Sequence, residues 1–168
     1  MASKDLEDRV ERLIEANTAA LLAFFVRRTS DPADAADLLG DTLLVLWRRA
    51  RALPADDAEA RPWMFGVARR VLSNQRRGQR RQSAFQDRLR EQIATTAHEP
   101  DADGIDLAAA LRQLPDLDQE IIRLVHWDGF SQADTARLLG MPEGTVRSRH
   151  HRAREQLRGM LEGFPTAR

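Results

Sequence analysis

Residues 129–157 read GFSQADTARLLGMPEGTVRSRHHRAREQL. Ala133, Ala136 and Leu139 recur at helical spacing before Gly140, and Val146, His150, Ala153 and Leu157 recur at helical spacing after Pro142. Two short amphipathic helices joined at a glycine form a helix-turn-helix. Ser131 is placed to cap the first of them. The opposite face of the second helix carries Arg147, His151, Arg154 and Arg158. An inward apolar stripe with an outward basic stripe suits a helix lying in the major groove of DNA. The same pattern also fits a helical hairpin with a solvated basic face.

Working outward, the spacing predicts a helix over 105–114, with Leu107, Ala110, Leu111 and Leu114 facing in. A second starts at Pro115-Asp116 and runs to His126 or Trp127, with Ile121, Ile122, Leu124 and Val125 as its apolar content. Asp128-Gly129 is a turn. Residues 105–163 therefore form a four-helix domain, with Leu161 and Phe164 of the tail placed to pack back. Thr95–Gly104, TTAHEPDADG, has no periodicity and reads as linker, with the boundary segment set at 79–104. Within it Gln79–Gln92 reads as a helical extension anchored by Phe85 and Leu89.

Residues 1–78 form the other domain. Leu6, Val10, Leu13, Ile14, Leu21, Leu22, Phe25 and Val26 predict a helical region over 4–28, with Asn17-Thr18 either a boundary or its polar side. Ser30 or Asp31 caps a helix over 33–49, whose stripe is Ala35, Leu38, Leu39, Thr42, Leu43, Leu46 and Trp47. Residues 51–60, RALPADDAEA, read as a loop. A helix restarts at Arg61-Pro62 and runs to about Arg77, with Trp63, Val67 and Val71, and with them Phe65, Ala68 and Leu72, as its inward candidates. Arg69, Arg70, Asn74, Arg76 and Arg77 crowd its later turns. Arginines beside an aromatic supply charge for a nucleic-acid backbone and a ring for base stacking; Trp63 reads equally as a core residue. The fold class expected is all-α: two small helical domains joined by a flexible linker, the second containing a helix-turn-helix.

The formal net charge is zero, yet residues 61–92 hold 9 basic against 2 acidic side chains and residues 137–168 hold 7 against 3, while residues 93–136 hold 2 against 9. Two basic blocks separated by an acidic one point to two nucleic-acid surfaces. Lys4 is the only lysine, so arginine supplies nearly all the positive charge, and its planar fork suits phosphate and base edges. Cysteine is absent, which excludes a disulfide framework and a thiolate metal site. The start MASKDLEDRVERLIE has no basic-then-apolar signal pattern, and no apolar run approaches the roughly 20 residues that span a bilayer. The expectation is a soluble cytoplasmic protein without membrane insertion.

Chemistry is not written into the chain. No nucleophile–histidine–acid set, phosphate loop or HExxH occurs. His150 and His151 are adjacent, so on a helix they point apart and cannot share a metal; His98 has no histidine at ligand spacing. The expectation is no enzyme, no catalytic residue, no cofactor and no metal.

Three stretches carry a resemblance. Residues 31–42, DPADAADLLGDT with Leu46-Trp47, residues 61–72, RPWMFGVARRVL, and residues 144–154, GTVRSRHHRAR, resemble, in order and spacing, the bacterial RNA polymerase sigma factors of the extracytoplasmic-function group. The resemblance covers nearly the whole chain. It implies that the N-terminal domain binds core RNA polymerase and recognises the melted minus-10 element. Asp37, Leu38, Asp41, Thr42, Trp47 and Arg48 then map to the polymerase-facing helix. The loop around 52–61 maps to one that receives a flipped promoter base. Trp63, Arg69, Arg70, Asn74, Arg76 and Arg77 map to minus-10 DNA contacts. It implies that the C-terminal domain reads the duplex minus-35 element, with Thr145, Arg147, Ser148, His151, Arg152 and Arg154 at the DNA. The implied partners are core polymerase, promoter DNA and an anti-sigma factor.

Four positions depart from the family pattern: Ala36 and Gly40, where glutamic acid and glutamine are usual, Thr135 in place of isoleucine, and His150 in place of leucine. Two other functions compete: a stand-alone helix-turn-helix regulator, and a sigma-like binding module that titrates an anti-sigma factor. A classical regulator would bind a palindrome as a dimer, and the chain has no dimerisation coiled coil. Ala36 and Gly40 are the features that favour the titrating module.

Overall fold

The computed structural model describes residues 3–90 and 107–162. The fold is all-α and divides into two units, Met1–Thr96 and Ala97–Arg168.

In the first unit α1 spans Ser3–Val26, α2 Pro32–Arg48 and α3 Asp57–Arg90, with a 3-10 turn at Ala50–Ala52 between the last two. The three helices pack pairwise around one core. The inner face of α1 runs Val10, Asn17, Leu21, Phe24, Phe25, with Arg28 continuing the line past the helix end. Asn17 is thus neither a boundary nor on the polar side: its amide donates to Leu13 O at 2.8 Å inside an unbroken helix. Phe24, absent from the expected stripe, is fully buried, with edge-to-face contacts to Phe25 and Phe65. Leu22 and Val26 are exposed instead. The Arg28 guanidinium covers the Phe24 ring at 3.7 Å and donates to Phe24 O, which closes the core with a cation.

Asp31 caps α2, its carboxylate accepting from Ala33 N at 2.8 Å, with Pro32 in the first position. Ala35, Leu38, Thr42 and Leu46 are its buried ridge. Trp47, expected on that ridge, is 50% exposed. Helix α3 begins one turn before the expected restart, because Asp56 accepts from Ala58 N at 2.9 Å and starts the helix there, which leaves Pro62 inside it. It then passes through Gly78 to Arg90, beyond the boundary expected at 78. One glycine costs about 1 kcal/mol of helix propensity, and the Gln, Arg, Ala and Leu residues that follow are good helix formers. The anchors expected at Phe85 and Leu89 fall outside the described side chains, and Thr95–Gly104 with His98 falls outside the described residues.

In the second unit α4 spans Leu107–Gln113, α5 Asp116–His126, α6 Gln132–Leu139 and α7 Glu143–Glu162. Ala110, Leu111, Leu114 and Ile122 pack on Ala153 and Leu157, and Ile121 and Ala136 pack on Val146. Helix α7 is the element on which α4, α5 and α6 all converge. Leu107 and Leu161, expected to face in, are 40% and 37% exposed; Phe164 lies outside the described residues.

Candidate nucleic-acid interface

The turn between α6 and α7 is set by local chemistry. Ser131 Oγ accepts from Asp134 N at 3.0 Å and starts α6. Gly140, at φ +65°, ends it in the left-handed region, which lets Met141 N return to Ala136 O at 2.9 Å. Helix α7 then opens on Pro142, whose carbonyl accepts from Thr145 N and Val146 N.

Burial splits α7 as its spacing predicts. Val146, His150, Ala153 and Leu157 are buried. Arg147, Ser148, His151, Arg152 and Arg154 are exposed, and Thr145 is half-buried at the entrance. The exposed side is already ordered by short contacts. Arg147 Nη2 lies 2.6 Å from Glu143 Oε1, Ser148 Oγ donates to Thr145 O at 3.0 Å, and Arg152 Nε reaches Ser148 O at 3.4 Å. Arg149 is turned the other way, onto Asp118 of α5 at 2.9 Å.

His150 is held by two partners. Its Nε2 is 2.9 Å from His126 Nε2, and its Nδ1 is 3.2 Å from Gln132 Nε2. Its pKa lies below the usual 6.5, first because burial disfavours the charged ring and then because His126, Arg154 and His151 add positive charge nearby. On α6, Thr135 is fully buried and its Oγ1 has no hydrogen-bond partner.

The first unit presents two further surfaces. Between α1 and α2 lies an open groove of about 930 Å³, with Glu11, Glu15, Asp37 and Asp41 around Leu44 and Trp47. Ala36 and Gly40 leave its floor without long side chains. Of the six residues mapped to polymerase, Asp37, Asp41, Trp47 and Arg48 are exposed, whereas Leu38 and Thr42 are buried, Thr42 Oγ1 donating to Leu38 O at 2.7 Å. Those two brace the helix from beneath, because they occupy the ridge that packs into the core, and they offer no surface to a partner.

The second surface is a cleft of about 290 Å³ in which Arg48, Arg49, Arg70 and Asn74 stand over Val45, Val67 and Val71. Tertiary packing brings the Arg48-Arg49 pair at the end of α2 to the α3 arginines; the sequence held the pair but not the juxtaposition. Arg69 is half-buried and Arg70 exposed. Arg77 Nη2 donates to Asn74 Oδ1 at 2.5 Å, and Arg76 Nη2 donates to Arg28 O at 3.0 Å, so Arg76 ties α3 to the end of α1. Trp63 is half-buried and borders a small apolar cavity with Leu46 and Met64. The expected loop at 52–61 is shortened, since Asp57 onward is helical. Arg9, which the sequence did not single out, pins what remains: its guanidinium donates to Pro54 O at 2.8 Å, Ala55 O at 3.0 Å and Asp57 Oδ1 at 2.6 Å.

Among the described residues, no group of three His, Cys, Asp or Glu side chains could hold a metal ion, and no helix is long and apolar enough to cross a membrane.

Residues 13–82 match the family description Sigma-70 region 2, and residues 105–157 match Sigma-70, region 4. The chain is 32% identical over 160 residues to the ECF RNA polymerase sigma factor SigL of Mycobacterium tuberculosis, covering 93% of this chain and 90% of that one. It is 32% identical over 155 residues to the RNA polymerase sigma-E factor of Streptomyces coelicolor, covering 90% and 85%. Among solved structures it is similar to the sigma factor RpoE, crystallised with the anti-sigma factor NepR from Bartonella quintana, at a TM-score of 0.72 and 28% identity, covering 92% of this chain and 98% of that one. The fold is also that of CnrH, solved with the cytosolic domain of CnrY, at a TM-score of 0.67 and 20% identity over 95% and 91% of the two chains.

Proposed function

The chain belongs to the extracytoplasmic-function group of sigma-70 factors and directs RNA polymerase to promoters, and on that premise we propose how its surfaces divide the work. Helix α7 reads the duplex minus-35 element. Arg147 and His151 face base edges, with Thr145 and Ser148 at the groove and Arg152 and Arg154 on phosphate. The exposed acids and Trp47 of α2, with Arg48 at its end, dock on core polymerase, and the α3 surface of Arg69, Arg70, Asn74 and Arg77 takes the melted minus-10 strand, with Trp63 at its edge. In this reading residues 1–78 and 105–163 are the two functional domains and 79–104 connects them. The role is recruitment and promoter choice, not catalysis.

The observation that carries the reading is the one-sided burial of α7: Val146 and Ala153 have no exposed surface, while every basic side chain assigned to DNA lies on the other face. The basic cleft over three valines supports the single-strand assignment, since charge beside apolar surface suits a backbone with unstacked bases. An anti-sigma factor is the further partner proposed, supported by the likeness to RpoE, whose structure contains one. The acidic-apolar groove between α1 and α2 is a surface such a partner could cover.

Transcription in vitro with core polymerase, with and without this chain, tests the assignment. Promoter-specific transcripts that vanish when either the minus-35 or the minus-10 element is scrambled are the expected result. Specific duplex binding that needs no polymerase would assign α7 to a stand-alone regulator instead.

A further inference from the structure

Elements α5, α6 and α7 meet on one imidazole. Gln132 sits in the first turn of α6, His126 is the last residue of α5, and His150 lies between them on the buried side of α7. The two rings are within 19° of parallel with centroids 5.1 Å apart, and their Nε2 atoms are 2.9 Å apart. The centroid separation exceeds the nitrogen separation by about two centre-to-nitrogen radii, so the rings meet head to head on one hydrogen-bond axis rather than face on face.

That axis fixes a proton count. An amide N–H of Gln132 donating to His150 Nδ1 leaves the His150 proton on Nε2, which donates to His126 Nε2. With the amide turned over every donor reverses, and one proton still lies between the two Nε2 atoms. A first added proton leaves both rings with an Nδ1–H, the amide turned to accept, and keeps the Nε2–H···Nε2 bond. A second places two N–H groups head to head.

We propose that the Gln132–His150–His126 chain is a proton-sensitive clasp that positions α7 on α5 and α6, so that proton uptake by the imidazole pair loosens the DNA-reading helix and weakens promoter engagement. This rests on the reading of α7 as the minus-35 helix.

The surroundings favour the uncharged state. The charges acting on His150 are His126 from α5 and Arg154 and His151 from α7. On α5, Asp118 is bound to Arg149 and Arg123 donates to Gln119. Asp128 is buried in the turn after His126. On α6, Asp134 is held by Ser131 and Arg137. Helix α4 packs against Ala153 and Leu157 through Ala110 and Leu111. The His150 pKa lies below 6.5 in the folded chain, so the unfolded chain takes the proton more readily. The contribution of the clasp is therefore complete above pH 6.5 and is lost as pH falls through the folded value.

Two measurements on the full chain test this. In a ¹⁵N-histidine spectrum at pH 7.5, one protonated Nε2 shared between His126 and His150, with coupling across the two nitrogens, is expected; two Nε2–H tautomers would overturn the clasp. Holoenzyme binding to a promoter fragment is then compared between pH 7.5 and pH 5.5, using core polymerase from one preparation. Relative to His150→Leu, the unsubstituted chain should lose about threefold or more of its affinity at the lower pH. Gln132→Glu should shrink that loss, because a carboxylate at Nδ1 favours the charged ring and raises the folded pKa toward the unfolded value. The same pH dependence in all three proteins would overturn the proposal. A fragment with a scrambled minus-35 element separates the premise: if scrambling has no effect at pH 7.5, the assignment of α7 fails, whereas a clear minus-35 effect with no His150-dependent pH response fails the clasp alone.

Discussion

The Arg149 guanidinium of α7 lies 2.9 Å from the Asp118 carboxylate of α5, with the two side chains 33% and 11% exposed. One arginine of the basic run on α7 is thereby turned from the exposed face and used to fasten that helix to its neighbour. Removing either partner leaves a partly buried charge uncompensated. Arg149→Ala or Asp118→Asn should each cost about 1–2 kcal/mol, below the range for fully buried pairs because Arg149 is partly solvated. Urea unfolding of the two single variants and the double variant measures it. Additive losses would mean that the pair does not couple.

Thr135 carries a hydroxyl into the core without a partner. Thr135→Val keeps the shape and removes the unsatisfied group, so stability should rise by about 1 kcal/mol. A thermal melt that shifts downward would show that the hydroxyl is satisfied in solution.

Gly40 lies within α2, and a Cβ built on it meets nothing within 4 Å. Gly40→Ala should gain about 1 kcal/mol of helix propensity. The same methyl enters the floor of the α1–α2 groove, so its effect on polymerase affinity, read by titration with core enzyme, reports whether that floor is covered in the complex. Unchanged or reduced stability in a thermal melt would overturn that expectation.

Asp41 is exposed on the groove side of α2. Asp41→Arg should weaken binding to core polymerase while helical content stays the same, because like charge against a basic partner site is costly. Equal affinity in a core-binding titration would remove Asp41 from the docking face.

Arg147 and Arg154 are both exposed but should behave differently. Arg147→Ala should flatten the preference among bases in the minus-35 element, a bidentate arginine–guanine contact being worth about 1–3 kcal/mol of discrimination. Arg154→Ala should weaken all sequences alike and lower the salt dependence. Arg147 pairs with Glu143 in the free chain, so Glu143→Gln should release it and strengthen binding. Identical profiles for the two alanine variants would erase the division between base and phosphate contacts.

The sequence alone determined the periodic elements. The inward set on α7 was legible as Val146, His150, Ala153 and Leu157, and all four are buried, because helix spacing maps directly onto one face. The caps at Asp31 and Ser131 and the left-handed glycine at 140 were equally local, each being a contact within a few residues of chain. The family was legible too, through motifs whose order and spacing span both units.

Only the tertiary structure decided which side chains a helix keeps for itself. Leu38 and Thr42, which the sequence put both in the apolar stripe and on the matched polymerase helix, keep to the core, and Trp47 of the same stripe does not, because the direction of the stripe is set by where α1 and α3 press on it. The start of α3 at Asp57 and its passage through Gly78 are exceptions with local causes, a capping carboxylate and the helix formers downstream, which outweigh the stop signals of proline and glycine. Arg9 on the 53–57 segment, Arg149 on Asp118 and the His126–His150 axis join residues 24 to 48 positions apart. Such pairings have no sequence period, because they exist only once separate helices have been brought against one another.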